Sequence, residues 1–438
     1  MNKKVLQGLY QELPELEARG IITPEISARI RQHYGEIKSV AKTTLALMIC
    51  GLLGALLIGL GIILLLAHNW EQLSRLSRTV LSLAPLFIGQ GFAAWVLWKK
   101  HDSGALKEGA ATFLSLMVGA SIALISQTYH ISGDSGTFTL TWMFLIVPLV
   151  YLMRASLPAA FYAVGITVWS AGAGSDPLRS ILFWPLSAVI VPHFIATLRQ
   201  EAYGIRSTLL SLVMFICISF GVGFSLGRVG ADLWVIVFPS FYAIVYSLGS
   251  TKFEGLTTYW QRPLRFLGTL SLLVLAFQFT FRFTWRYLGR DVYEMTRGIS
   301  GATLGPDHFI VFAIVVAAVL LFGNTVKRGH LTNTLFSALP LCAIAGYLLR
   351  GQGVVAALLI FNAYLFCLSM GTIILGLRKN SLSAVNGGML ILAILVISRF
   401  FDSDINFVIK GMIFIIVGIG FLAANVMLMR RKGVGHEE

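Results

Sequence analysis

Charge is what this sequence has least of: Asp, Glu, Lys and Arg make up 12% of its 438 residues, where soluble domains carry about a quarter. A soluble globular protein is excluded on that ground. With 56% hydrophobic residues, so is a disordered chain, which needs low hydrophobicity. Cysteine is nearly as scarce. Cys50, Cys217, Cys342 and Cys367 each sit in an apolar run without the paired spacing of a zinc site, a redox motif or a disulfide scaffold, so they read as small buried hydrophobes. Also missing is a Gly-x-x-x-x-Gly-Lys run, the signal of a phosphate-cradling loop. The polar stretch Met1 to Lys42 has no short apolar core followed by a small-residue cleavage site, so no cleaved signal peptide is expected. No low-complexity linker is seen.

What is abundant is long apolar sequence. Crossing a bilayer takes about 20 apolar helical residues, because the backbone must close its hydrogen bonds within the segment. Fourteen segments qualify: 44 to 67, 79 to 98, 109 to 128, 137 to 153, 156 to 173, 180 to 198, 207 to 227, 231 to 249, 265 to 286, 307 to 326, 332 to 349, 353 to 376, 382 to 399 and 406 to 429. Pro158, Pro185 and Pro192 interrupt the fifth and sixth, where a broken or re-entrant helix would reduce the total to twelve or thirteen. The expected fold is therefore an all-α polytopic transmembrane bundle. The net charge of +14 supports the count by its location. With the N-terminus inside, 23 of the 34 Lys and Arg fall on one face, while the acids divide 11 to 9. This positive-inside asymmetry puts both termini in the cytoplasm. The basic face is then opposed to anionic lipid headgroups, and no nucleic-acid partner is implied. Ahead of the first span, Leu6 to Glu17 and Glu25 to Tyr34 read as a short amphipathic hairpin. Gly20 lies near the break, Thr23 is at the N-cap, and Pro24 is at the first helical position, where its missing N–H costs nothing.

Carboxylates are almost absent from the spans: only Asp232 and Asp307 touch one, both at outer ends. Proton- and sodium-coupled carriers usually hold an acid near the midplane, so a carrier of that kind is disfavoured. Three outer hairpins share a cluster of aromatic and polar residues: His68-Asn69-Trp70-Glu71, Gln127-Thr128-Tyr129-His130 with Asp134, and Arg399-Phe400-Phe401-Asp402. Ordinary helix ends at the headgroup level also carry such residues. His68, Glu71, His130, Asp134, Asp307 and His308 are types that bind zinc, but none has the spacing of a His-Glu-x-x-His helix, and no metal or cofactor is expected. From Phe277 to Tyr287 aromatics occupy every odd position. Alternation alone describes a strand, but a strand edge cannot face lipid. A helix continuing through Arg286 would instead stack Gln278, Arg282 and Arg286 along one stripe. Such a stripe either attracts an anion in a cavity or snorkels to the interface. Gly51, Gly54, Gly59 and Gly61 mark close helix packing.

The stretches Ile58-Gly59-Leu60-Gly61 through His68-Asn69-Trp70, and Gly119-Ala120 through Ser126-Gln127-Thr128-Tyr129-His130 with Ser132-Gly133-Asp134, resemble the bacterial predicted membrane proteins of domain of unknown function 2157. The likeness covers roughly residues 5 to 155, and the run from Arg399 to Asn425 is similar to the tail of longer members. The resemblance implies a bacterial inner-membrane location. It carries no assigned activity, and His68 departs from the small residue common at that place.

The layout expected is a cytoplasmic helical segment at 1–43, a membrane region at 44–155, a second membrane region at 156–430 and a short cytoplasmic tail at 431–438. Three readings follow. In the first, a transporter or flippase-like protein handles an anionic or lipid-linked envelope molecule, with Gln278, Arg282 and Arg286 drawing the anion. Trp70, Glu71, Gln127, Tyr129, His130, Asp134, Arg399 and Asp402 then surround the opening. The second is a scaffold or sensor binding an unidentified protein. The third is a membrane enzyme with His130 and Asp134 as acid and base. A polar cavity at mid-depth separates the first from the others.

Overall fold

A computed structural model describes residues 12–13, 16–17, 19–34, 70–100, 102–172, 177–200, 204–251, 263–286, 288, 305–349 and 353–402, with a few positions between 412 and 422. The expected first span, most of the last span, the Leu6 to Glu17 helix in most of its length, and the residues Arg290, Asp291, Glu294 and Arg297 lie outside these residues. Two compact units are present, Met1–Arg78 and Thr79–Glu438.

In the first unit, Gly20 adopts φ +68°, a conformation open to glycine at little cost. Its N–H bonds to the carbonyl of Glu17 and that of Ile21 to Leu16, both at 3.0 Å, the pairing that closes a helix C-terminus. Helix α1 follows at Pro24–Tyr34. Trp70–Gln72 form one 3-10 turn.

Among its described residues the second unit consists of helices joined by turns and short loops. Its elements are α2 (Arg75–Lys99), α3 (Gly104–Tyr129), α4 (Ser135–Met153), α5 (Ser156–Ala171), α6 (Pro177–Ala188), α7 (Val191–Gln200), α8 (Ile205–Val229), α9 (Trp234–Thr251), α10 (Pro263–Gln278), α11 (Arg282–Arg286), α12 (Pro306–Lys327), α13 (Leu331–Ser337), α14 (Leu339–Leu349), α15 (Val354–Arg378) and α16 (Leu382–Asp402). Among the described residues nine helices are long and apolar enough to cross a membrane, with α6–α7 and α13–α14 each taken as one, and Ser156–Ala171, Trp234–Ser250 and Pro263–Gln278 are shorter apolar helices. These twelve overlap the second to thirteenth segments of the sequence reading, although the ninth ends at Gln278 and not at 286.

The sixth segment is broken just before Pro192, while Pro185, also expected to interrupt it, stays inside α6. Pro192 has no N–H to return to the carbonyl of Ala188, and Val189 and Ile190 form a turn between α6 and α7. Tyrosines from neighbouring helices satisfy the backbone there. The Tyr162 hydroxyl donates to the Leu186 carbonyl at 3.0 Å, and that of Tyr151 to Val189. Pro158, by contrast, falls in the first turn of α5, where proline is tolerated.

Two ionic clusters fasten the helix ends. At the first, Glu108 of α3 accepts the N–H groups of Ser156 (2.7 Å) and Leu157 (3.1 Å). It thereby caps α5, whose own N-cap residue, Ala155, makes no side-chain capping bond. Arg206 of α8 donates to Glu108 at 2.7 Å and to the Arg154 carbonyl at 2.6 Å. At the second, Asp307, 3% exposed, accepts from Ser225 at 2.8 Å and pairs with Arg228 at 3.3 Å. Trp184 donates to Ser225 at 3.1 Å and Arg228 to Ser180 at 3.0 Å. Arg206 and Arg228 stand 22 residues apart on α8, or roughly 33 Å along its axis, close to the thickness of a bilayer's hydrocarbon core. Between these levels the packing is tight. A Cβ on Gly268 would lie 2.6 Å from the Tyr246 backbone nitrogen, and one on Gly249 would lie 2.3 Å from that of Arg265, so α9 and α10 meet backbone to backbone.

Candidate functional site

Helix α10 stops at Gln278, and a turn at Phe279–Phe281 leads into the five-residue α11. The continuous helix expected through Arg286 is therefore interrupted, and Gln278, Arg282 and Arg286 do not share a single helical stripe. The reason lies in tertiary packing. Phe279 and Trp285 are both pulled into an aromatic core, 4.9 Å and 5.5 Å from the Phe361 ring and 5.8 Å from each other. Gly346 leaves room for them, since a Cβ there would lie 3.0 Å from Phe361 and 3.1 Å from Trp285. The two anchors are six residues apart, and an unbroken helix would turn them about 120° away from each other, too far to meet one recess.

Side chains cover the carbonyls that the break releases. The Thr280 hydroxyl donates to the Phe277 carbonyl at 2.6 Å, Thr284 to Gln278 at 2.9 Å and the Trp285 indole to Phe279 at 2.7 Å. Irregular backbone within a membrane protein persists only with such partners or beside a cavity. Arg399 of α16 reaches the same turn, donating to the Thr280 hydroxyl at 3.0 Å with its guanidinium 5.1 Å from the Phe281 ring centre. Two sequence clusters far apart in the chain thus meet here. Arg282 is exposed.

Beside the break lies a cleft of about 940 Å³. Arg265, Thr269 and Gln278 line it from α10, with Ser383, Gly387 and Ser398 from α16. Gln278 stands 13 residues beyond Arg265, so the cleft follows α10 for about 20 Å. Leu270, Val274, Leu390 and Ile394 also line it, and each is at least 40% exposed, so its open side carries a greasy rim. The cleft is therefore not a charged aqueous cavity but an apolar furrow with scattered hydroxyls, an amide and one arginine. The hydroxyl-bearing positions and Gly387 were not singled out by sequence reasoning. The closely spaced Ser381, Ser383, Gly387 and Gly388 were the available signal.

The other sequence candidates sit elsewhere. Gln127, Tyr129 and His130 end α3 in exposed positions, and Tyr129 bonds with Thr79 at 3.0 Å. His130 takes the left-handed conformation, φ 53°, that terminates the helix. Asp134 is the N-cap of α4, accepting from the N–H groups of Gly136 (3.1 Å) and Thr137 (3.2 Å) and from the Thr137 hydroxyl. Arg179 lies 3.5 Å away. These bonds, led by the Thr137 hydroxyl, hold the Asp134 carboxyl below its usual range. Trp70 lies in the 3-10 turn of the first unit, its indole N–H buried without a hydrogen-bond partner among the described residues. The side chains of Glu71, Arg286 and Asp402 lie outside the described residues. Among the described residues no three His, Cys, Asp or Glu side chains come together as a metal site.

Neither a curated protein nor a solved structure matches the chain. The family comparison does find a match, and it falls on the segment holding the α3–α4 turn while leaving the cleft outside: residues 14–159 match the family described as Predicted membrane protein (DUF2157).

Proposed function

We propose that this protein is a multi-pass protein of the bacterial cytoplasmic membrane, fourteen-spanning with both termini inside, that moves an anionic or lipid-linked amphiphile between leaflets along the cleft beside α10. The observation that carries the reading is the cleft itself, because its chemistry follows the parts of an amphiphile. Leu270, Val274, Leu390 and Ile394 suit acyl chains, while Gln278 and the hydroxyls of Thr269, Ser383 and Ser398 offer hydrogen bonds along the way. Arg265 lies toward one end for an anionic headgroup, and Arg399 packs beside the Phe281 turn toward the other. A discontinuous helix next to the cavity is the arrangement in which transporters commonly place a substrate.

Gly387 provides the test. It lines the cleft, and a Cβ added there meets nothing within 4 Å, so Gly387→Trp fills the furrow without displacing a neighbour of its first carbon. In proteoliposomes with a headgroup-labelled anionic phospholipid, dithionite quenching should show scrambling or flipping by the wild type. Gly387→Trp should reduce it at least tenfold. Gly91→Trp on α2, also at a position with nothing within 4 Å, should leave it intact. Equal rates in protein-free and wild-type vesicles, or an unaffected Gly387→Trp, would refute the proposal.

A further inference from the structure

A second pocket, of about 360 Å³, lies at the level of the Glu108 cluster and belongs to different helices. Its wall brings together Lys107 of α3, Arg154 at the end of α4, Arg206 of α8, and His193, Thr197 and Gln200 of α7. Arg206 is balanced by Glu108 at 2.7 Å. Asp102 is the one carboxylate in the wall, so a positive surplus remains, carried by Lys107 and Arg154. No hydrogen bond or ion pair engages either of those side chains among the described residues. The floor is fixed: His193 is 6% exposed, and Thr197 bonds to its carbonyl at 2.9 Å. Apolar side chains next in sequence to wall residues are exposed, Leu152 beside Met153 on α4 and Ile195 beside Ala196 on α7, as is Leu157 of α5.

From this arrangement we infer that the pocket binds the phosphate of an anionic phospholipid, with Lys107 and Arg154 as its cationic grips and the acyl chains lying over the Leu152 and Ile195 surface. Two unengaged cations and the Gln200 amide supply donors to phosphate oxygens. The neighbouring apolar surface gives the phosphodiester of a lipid an advantage that a free phosphate lacks. Basic pockets between transmembrane helices at the charged face of a membrane recognise headgroups in this way. The site shares no residue with the cleft, and it stands whether or not the protein moves lipid.

The test uses the full chain purified in detergent and titrated with phosphatidylglycerol, phosphatidylcholine or inorganic phosphate. Bound lipid is counted by native mass spectrometry and the thermal midpoint is followed in parallel. Phosphatidylglycerol should be retained and raise the midpoint. Lys107→Gln combined with Arg154→Asn, the asparagine chosen because it tolerates the φ of 51° at that position, should shift half-saturation by roughly thirtyfold. Lys107→Gln alone should shift it about fivefold and keeps the test available should the double variant fold poorly. Lys99→Gln with Lys100→Gln, outside the pocket, should titrate as the wild type. An unchanged titration in both Lys107 variants would overturn the site. So would an equal loss in the Lys99 and Lys100 variant, which would reveal diffuse surface charge. An equal response to inorganic phosphate would replace the lipid with a soluble anion and overturn the proposal as well.

Discussion

Asp307 offers the sharpest test of how the bundle is fastened. Its carboxylate is 3% exposed, accepts from Ser225 and pairs with Arg228, whose side chain is 36% exposed. Removing one partner of a fully buried pair costs about 3–5 kcal/mol. Arg228 is a third exposed and keeps its bond to Ser180, so Asp307→Ala should cost about 2–3 kcal/mol, at or just below the lower end of that range. Asp307→Asn keeps an oxygen for Ser225 and loses only the charge, so about 1–2 kcal/mol is expected. The assay is a double-mutant cycle with Arg228→Gln, read by equilibrium unfolding in mixed micelles. Coupling of about 1 kcal/mol or more is expected, since residues in one network are not additive. Additive effects, or an Asp307→Ala variant as stable as the wild type, would refute the reasoning and reduce the cluster to a surface ion pair.

Glycine positions should separate by what they face. Gly268→Ala, which meets the Tyr246 backbone at 2.6 Å, should cost about 1–3 kcal/mol or more. Gly165→Ala, which meets the flexible Met143 side chain, should cost clearly less by thermal unfolding, and equal losses would argue against the close α9–α10 contact. Trp285→Phe removes the donor that covers the Phe279 carbonyl, for an expected loss of about 1–3 kcal/mol, and should loosen the Phe279–Phe281 turn in hydrogen exchange; wild-type exchange there would contradict the role given to the indole. Asp134 has its folded pKa lowered, so its contribution is present above the ordinary carboxylate value near 3.8 and is lost as pH falls below it. The stability difference between wild type and Asp134→Asn should therefore be constant from pH 8 to about pH 5 and shrink only in stronger acid, and a difference that changes near neutrality would be incompatible with a capping carboxylate.

How far the sequence could be read depended on the kind of interaction at each place. Apolar length and the scarcity of charge foretold the twelve described apolar helices, because each is a local property of its own segment. Pro192 likewise marked the break before α7, since a missing N–H acts on the same chain four residues back. Nothing equivalent marks the break after Gln278. Neither Gly nor Pro lies between Phe277 and Arg286, and the turn exists because Phe361 and Gly346, some 60 to 80 residues away, form the recess that takes Phe279 and Trp285. The cation stripe read from helical spacing failed for that reason, while the same break helped place Gln278 in a cleft.

The aromatic and polar motif between Gln127 and Asp134 illustrates the converse. Its polar residues could be quoted from the sequence as a site, but apart from the contacts of Tyr129 with Thr79 and of Asp134 with Arg179 the bonds they make close turns. Ser126 donates to the Ile131 carbonyl at 3.0 Å, Ile131 returns its N–H to Ser126 at 2.9 Å, and Asp134 opens α4. Turn chemistry is confined to neighbouring residues and leaves a dense local signature. A cleft assembled from single hydroxyls on α10 and α16 leaves almost none, because one Ser or Thr per turn is ordinary in a membrane helix bonding back to its own carbonyls, as Thr269 does to Arg265 at 2.7 Å. A recognisable motif can therefore belong to architecture while a binding surface stays silent in the sequence. Substitutions at Gly387 and Gln278 should accordingly perturb amphiphile handling more than substitutions at His130, and a His130→Ala variant that abolished lipid movement while Gly387→Trp left it intact would reverse that assignment.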